Sequence, residues 1–354
     1  MTDTVKTAPA PGAAAEPDDL TRLALARRKL LTSSLLYLTT TLVAMVVVFG
    51  IASPDAFLSS YNIQTVFTVA SVLMVVSVGM TFVIATAGID LSVGSTLVFA
   101  SVVSLKAMTA VAGGKADSAD AGPTVILVGL VVALVAGALW GCVNGFLVTK
   151  AKVPSLIATL GTMGVALGIA KISTGGNDLA GVPSSLYETV GLGKLFGVVP
   201  WLVVVAVLVT AVGWIVLTQT RFGRYTLFVG SGPEAARRAG IHVDRHLIKV
   251  YALAGLLAGL AGFMDLALFA SANIAGHTTD NLQAVTAVVI GGTSLFGGTA
   301  TIAGTVIGVF LPAVLQNGFV ILKVQTFWQD VAIGSVLVFA VYLDQVKRTT
   351  QNRG

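Results

Sequence analysis

Charge is what this sequence has least of. Only 10% of its 354 residues are Asp, Glu, Lys or Arg, whereas a soluble domain carries about 25%. A water-facing globular fold could not cover its surface with so few. Cysteine is nearly absent: Cys142 stands alone inside an apolar run, which excludes an intrachain disulfide and a thiolate metal cluster. Three histidines leave little scope for metal chemistry. His242 and His246 are four apart, but the residues between them lack the Glu of a zinc-protease helix, so they read as a solvated pair and no metal site is assigned. The stretch from Gly292 to Thr299 mimics a phosphate loop, with Gly298 where the lysine should stand. Without that lysine nothing reaches a terminal phosphate. No nucleophile elbow and no intramembrane carboxylate pair is visible, so no catalytic residue is assigned.

What is present is apolar. Hydrophobic residues make up 55% of the chain, with a mean hydropathy of +0.92, and one membrane span needs about 20 of them. That allows roughly nine or ten spans and almost nothing for a soluble domain. Apolar runs fall at 35–52, 63–86, 95–112, 124–148, 155–172, 199–217, 247–271, 282–296, 301–321 and 327–343. With the N-terminus inside, sixteen of the 21 Lys and Arg residues lie on the cytoplasmic side, as the positive-inside rule requires. The reading is an all-α, polytopic helical bundle of ten spans with both termini cytoplasmic. Residues 1–30 form a polar cytoplasmic tail rather than a cleaved signal, 31–346 the membrane domain, and 347–354 a second tail. The net charge of +5 reports orientation in the bilayer, not a nucleic-acid partner.

Two segments interrupt the apolar pattern. Residues 87–95 join two spans with almost no room for a loop and carry Asp90 and Ser92. The run 282–296 is short and broken by Gly291 and Gly292, then followed by Gly297 and Gly298. Irregular backbone at membrane depth is tolerated only when buried in protein or lining a cavity. A translocation pathway is therefore expected at Asp90, Ser92, Asn144, Gly291, Gly292, Thr293, Ser294, Gly297 and Gly298, with packing alone as the plainer alternative. Glycines 137, 141 and 145, 255 and 259, and 304 and 308 recur every four residues, a spacing that lets helix backbones approach closely. The remaining intramembrane ionisable groups, Lys106, Lys171, Asp265 and Asp330, fall in the outer half within reach of water. That disfavours an ion-coupled secondary transporter, which needs charged groups inside the membrane.

One cytoplasmic loop is sizeable, 218–249. Within it Pro233, Glu234, Ala235, Ala236, Arg237, Arg238 and Gly240 read as a complete short helix. Pro suits its first position, Glu its positive end, the two Arg its negative end, and Gly240 its left-handed stop. So short a helix is marginal alone and is expected to pack on its own span ends or on a cytoplasmic partner.

These residues together resemble the permease subunits of bacterial ABC importers for ribose, xylose, arabinose, galactose and related sugars. The resemblance rests on Gly88-Ile-Asp-Leu-Ser-Val-Gly94, Val153-Pro-Ser-Leu-Ile-Ala-Thr-Leu-Gly161, Thr220-Arg-Phe-Gly-Arg224 with Glu234-Ala-Ala-Arg237, and Ala287-Val-Val-Ile-Gly-Gly-Thr-Ser-Leu-Phe-Gly-Gly298. It implies an inner-membrane permease paired with a second permease subunit, a cytoplasmic ABC ATPase that binds ATP and Mg, and an extracytoplasmic sugar-binding protein. The 233–240 helix is then the coupling helix seated in the ATPase. The family often has Glu-Leu-Asp where this chain has Asn281-Leu282-Gln283, so polyols, nucleosides and a quorum signal stay open beside monosaccharides.

Overall fold

The computed structural model describes residues 34–114, 122–325 and scattered positions from 327 to 342. The two tails and most of the tenth expected span lie outside the described residues. Among the described residues eight helices are long and apolar enough to cross a membrane. They are α1 (Ser34–Ala52), α3 (Ser60–Ala85), α4 (Val93–Val111), α5 (Pro123–Thr149), α6 (Ser155–Thr174), α8 (Trp201–Gln219), α11 (Val243–Phe269) and α13 (Ile302–Ile321). Short helices fill the connections: α2 (Pro54–Phe57), α7 (Ser184–Leu186), α9 (Arg221–Ser231) and α10 (Pro233–Arg238).

The expected eighth crossing is α12 (Asp280–Ile290), of 11 residues. At 1.5 Å per residue it spans about 16 Å, half the hydrocarbon thickness. The backbone beyond it continues the crossing without helix: the Gly298 N–H donates to the Ala85 carbonyl at the far end of α3 at 3.0 Å. The helix is therefore broken toward its inner end, as the glycines indicate.

Local chemistry sets the boundaries. Ser59 caps α3 by accepting from the Asn62 N–H, and Thr301 caps α13 by accepting from that of Gly304. Pro123 and Pro233 occupy first turns, where no amide hydrogen is needed.

At the centre α3 is buried continuously from Ala70 to Ala85. At the crossing of α5 and α11 the two glycine stripes face each other. A Cβ on Gly137 would sit 2.2 Å from the Gly255 carbonyl oxygen, and one on Gly141 would sit 2.1 Å from that of Tyr251. The opposite face of α5 exposes Leu127, Val131, Val135 and Leu139. Small residues point into protein and large ones out toward lipid, the arrangement expected where dispersion rather than water exclusion drives helix association.

The loops expected outside are joined by pairing. Strand β1 (Leu179–Ala180) runs antiparallel to β4 (Ser271–Ala272), and β2 (Lys194–Leu195) pairs with β3 (Val199–Pro200). Asp178 accepts from the Ile274 N–H at 2.8 Å, which ties the 175–200 connection to the one carrying residues 270–279.

Candidate functional site

The cytoplasmic loop holds more structure than its sequence announced. Helix α9 precedes α10, and α11 begins at Val243, inside the segment read as loop. The cause is apolar packing: Phe222 of α9 lies 6.0 Å from the Phe82 ring and 4.8 Å from that of His246. His246 is buried and bonds Thr226 at 2.9 Å, so the solvated histidine pair is corrected to one exposed residue, His242, and one core residue.

Within α10 the expected caps are present, with Pro233 in the first turn and Gly240 at φ +84. Ala236 is fully buried among Val229, Val243, Ile241 and Leu247. It packs on its own chain and offers nothing to a partner, unlike the exposed Ala235. Arg237 reaches Glu234 at 2.7 Å and Asp244 at 3.3 Å, and Lys150 reaches Asp244 at 3.1 Å. These exposed pairs are individually weak, but together they fix α10 to the starts of the α5–α6 connection and α11. Arg238 stays exposed beside them.

The first interrupted segment, 86–92, is held by side chains. Asp90 Oδ1 accepts from the Ser92 N–H at 2.9 Å and from its hydroxyl at 2.6 Å. Asn144 donates to Ser92 Oγ at 2.7 Å and accepts from Thr162 Oγ1 at 2.6 Å. The Leu91 N–H donates to Thr159 at 3.1 Å. Asp90, Ser92 and Asn144 are all buried, so the sequence brought together three residues that share one network. Its geometry satisfies irregular backbone, as buried polar groups require.

The second interrupted segment is packed backbone to backbone. A Cβ on Gly291 would sit 2.5 Å from Gly304, and one on Gly230 would sit 1.9 Å from the Ala85 oxygen. Gly292, Gly297 and Gly298 take positive φ. The amides of Gly297, Gly298 and Ser294 already donate to carbonyls of Ser294, Ala85 and Thr299. Thr293 Oγ1 accepts from Thr301. The phosphate-loop spacing thus serves a tight turn against α3 and α13.

At the other end of α12 lies a cluster that the sequence reading missed. His277 Nδ1 is 2.7 Å from Asp280 Oδ2, and Nε2 is 3.1 Å from Asp265 Oδ2. Asp265 is only 1% exposed, which corrects its placement within reach of water. The Nε2 approach is close but not aligned as a hydrogen bond, and both Asp265 oxygens lack a hydrogen-bond partner. Burial opposes charge on the ring, but the two carboxylates that face it, Asp265 and Asp280, outweigh that and push the His277 pKa up to about 10. The loop rests on the first interruption: a Cβ on Gly94 would meet the His277 oxygen at 2.7 Å, and Asn281 donates to the Leu91 carbonyl at 3.2 Å. Beside the cluster opens a cavity of about 340 Å³, bordered by α3, α11, α12 and α13. Among the described residues no group of three or more His, Cys, Asp and Glu side chains could hold a metal ion.

A helical bundle crossing the bilayer many times, with its polar groups gathered along two broken segments and one structured inner loop, is a membrane permease. The chain belongs to the family described as the branched-chain amino acid transport system permease component, whose model matches residues 62–341. It is 35% identical over 326 residues to a ribose import permease protein of Escherichia coli, covering 91% of this chain and 98% of that one. It is 29% identical to a galactose/methyl galactoside import permease protein of Haemophilus influenzae, over 84% and 90% of the two chains. An autoinducer 2 import system permease protein of Yersinia pseudotuberculosis matches at 33% identity over 80% and 78%. No solved structure matches the chain. The resemblance to importer permeases and the multi-pass inner-membrane location are borne out.

Proposed function

We propose that this chain is the translocating subunit of an ATP-driven importer that carries a monosaccharide or related polyhydroxylated solute into the cell. The observation that carries this reading is the likeness to a ribose import permease over nine-tenths of the chain. ATP and Mg bind on a separate cytoplasmic ATPase, a second permease subunit completes the membrane unit, and an extracytoplasmic binding protein delivers the solute. The α10 segment is the coupling helix, with Ala235 as the small contact residue and Glu234, Arg237 and Arg238 as the charged rim that sets register more than affinity. Because α10 sits between α9 and α11, a push on it moves two spans together. The 88–94 and 291–298 segments flank the route, their buried backbone forming its inner wall.

Ala235→Trp tests the coupling assignment. The variant should insert and pack normally, since residue 235 is exposed, yet lose co-purification with the ATPase. Full ATPase recovery with Ala235→Trp would make α10 a solvated connector. A symporter reading draws on Asp265, a carboxylate buried within the spanning helix α11, since such groups are its usual mark. Dependence on ATP separates the two.

A further inference from the structure

The last two residues of α9, Gly230 and Ser231, lie where the two interrupted segments meet. A Cβ on Gly230 would collide with the Ala85 carbonyl oxygen and sit 2.7 Å from the Gly298 nitrogen. One on Gly297 would sit 2.7 Å from the Ala87 nitrogen and 2.9 Å from the Gly230 oxygen. One on Gly298 would sit 2.5 Å from Ser231 Oγ, and the Gly298 N–H donates to the Ala85 carbonyl at 3.0 Å. The end of α9, the 85–87 turn and the 297–298 turn therefore touch pairwise. Positive φ at Ala87, Gly297 and Gly298 brings backbone rather than side chains to the contact.

Contacts this close leave no gap in which one backbone can slide past another, and a packed interior transmits displacement. Only Gly232 separates Ser231 from Pro233, the first residue of α10. The buried Ala236 of α10 packs on Val229, one residue before Gly230, so the last turn of α9 follows α10. Helix α11 offers a different route. It meets the first segment at Gly88, where a Cβ would sit 2.7 Å from the Tyr251 hydroxyl. The nearest neighbours of Gly291, Gly297 and Gly298 belong instead to α13, to Ala87 and to α9.

We infer that Gly230 and Ser231 are positioning residues that hand the movement of α10 to both interrupted segments at once, so that the two segments shift as one part. The inference deepens the importer reading and rests on it for the source of the push. Helix α9 is then the lever, and a rigid-body displacement of its last turn carries the 85–87 and 297–298 turns with it. A push delivered through Tyr251 of α11 would bear on the first segment alone. A bulky side chain at residue 230 prises lever from load while leaving the exposed surface of α10 unchanged.

The test uses the full complex with its ATPase and binding protein. A Cβ at residue 298 would lie 3.3 Å from that of Ser231, a few tenths of an ångström short of the usual disulfide separation. With Cys142→Ser, Ser231→Cys and Gly298→Cys, oxidation should give the same yield of cross-link without nucleotide as with ATP and vanadate. A yield that falls with ATP and vanadate, or no cross-link in either state, would overturn the inference. Should that variant fail to fold, hydrogen exchange in the unsubstituted complex replaces it. The Gly298 amide, bonded to Ala85, should keep its protection when ATP and vanadate are added, and would lose it if the segments part. In a second arm, Gly230→Leu should abolish ATP-driven uptake while ATPase co-purification and ATP hydrolysis persist. Normal uptake, or loss of ATPase recovery along with uptake, would make Gly230 a packing residue only. ATP-driven uptake by the unsubstituted complex tests the importer reading by itself, so each can fail without the other.

Discussion

His277 neutralises two carboxylates at once, and it does so where the chain folds back from α11 into α12. Removing it leaves Asp265 buried beside a second negative charge. His277→Ala should destabilise the protein by about 3–5 kcal/mol, the usual cost of breaking a buried ion pair from one side, read as a lowered thermal midpoint in detergent. Asp280→Asn should cost less, since that side chain is 19% exposed. The pairing also fixes a pH dependence. The folded-state pKa is raised above the ordinary 6.5 to about 10, so its stabilisation is full below about 6.5 and is lost as pH rises through about 10. The midpoint should fall across that window, and His277→Gln should flatten the fall. None of this was legible in the sequence, because Asp265 and His277 are twelve positions apart and come together only through the turn after α11. Asn281 is easier to rationalise afterwards: its amide donates to the Leu91 carbonyl, which a carboxylate cannot do.

Among the elements, the crossing of α5 and α11 depends directly on residue size. Gly137→Leu places a side chain where a Cβ alone would meet backbone at 2.2 Å, so the helices must separate. The cost should exceed the 1–3 kcal/mol of ordinary overpacking, seen as loss of monodisperse protein in size-exclusion chromatography. Leu139→Ala, on the exposed face of α5, should leave the elution profile unchanged. Both glycine stripes were visible as four-residue spacing, and so were the span positions, because apolar length and basic flanks report them directly. The ends were less visible: α11 starts at Val243 rather than near 247, since a first turn carrying Asp244, Arg245 and His246 breaks the apolar pattern while packing still holds it. The same effect hid α9, whose polar residues mask a face built on Phe222 and Val229. Ala236 was no easier to place, for nothing in the sequence marks it as the one small residue of α10 that fills a pocket of its own chain.

For the whole molecule, the basic residues set the sidedness. In a Cys142→Ser background, a cysteine at the exposed Glu188 should react with an impermeant maleimide in intact cells, and one at Arg238 only after permeabilisation. The reverse pattern would invert the positive-inside assignment. The central claim is that ATP hydrolysed on another subunit drives solute through this bundle. Its most direct test is uptake by cells expressing the chain with its ATPase and binding protein, screened with radiolabelled monosaccharides and polyols. The account predicts that depleting ATP abolishes uptake while a protonophore, with ATP held constant, leaves it intact; uptake that survives ATP depletion and stops with the protonophore would contradict it.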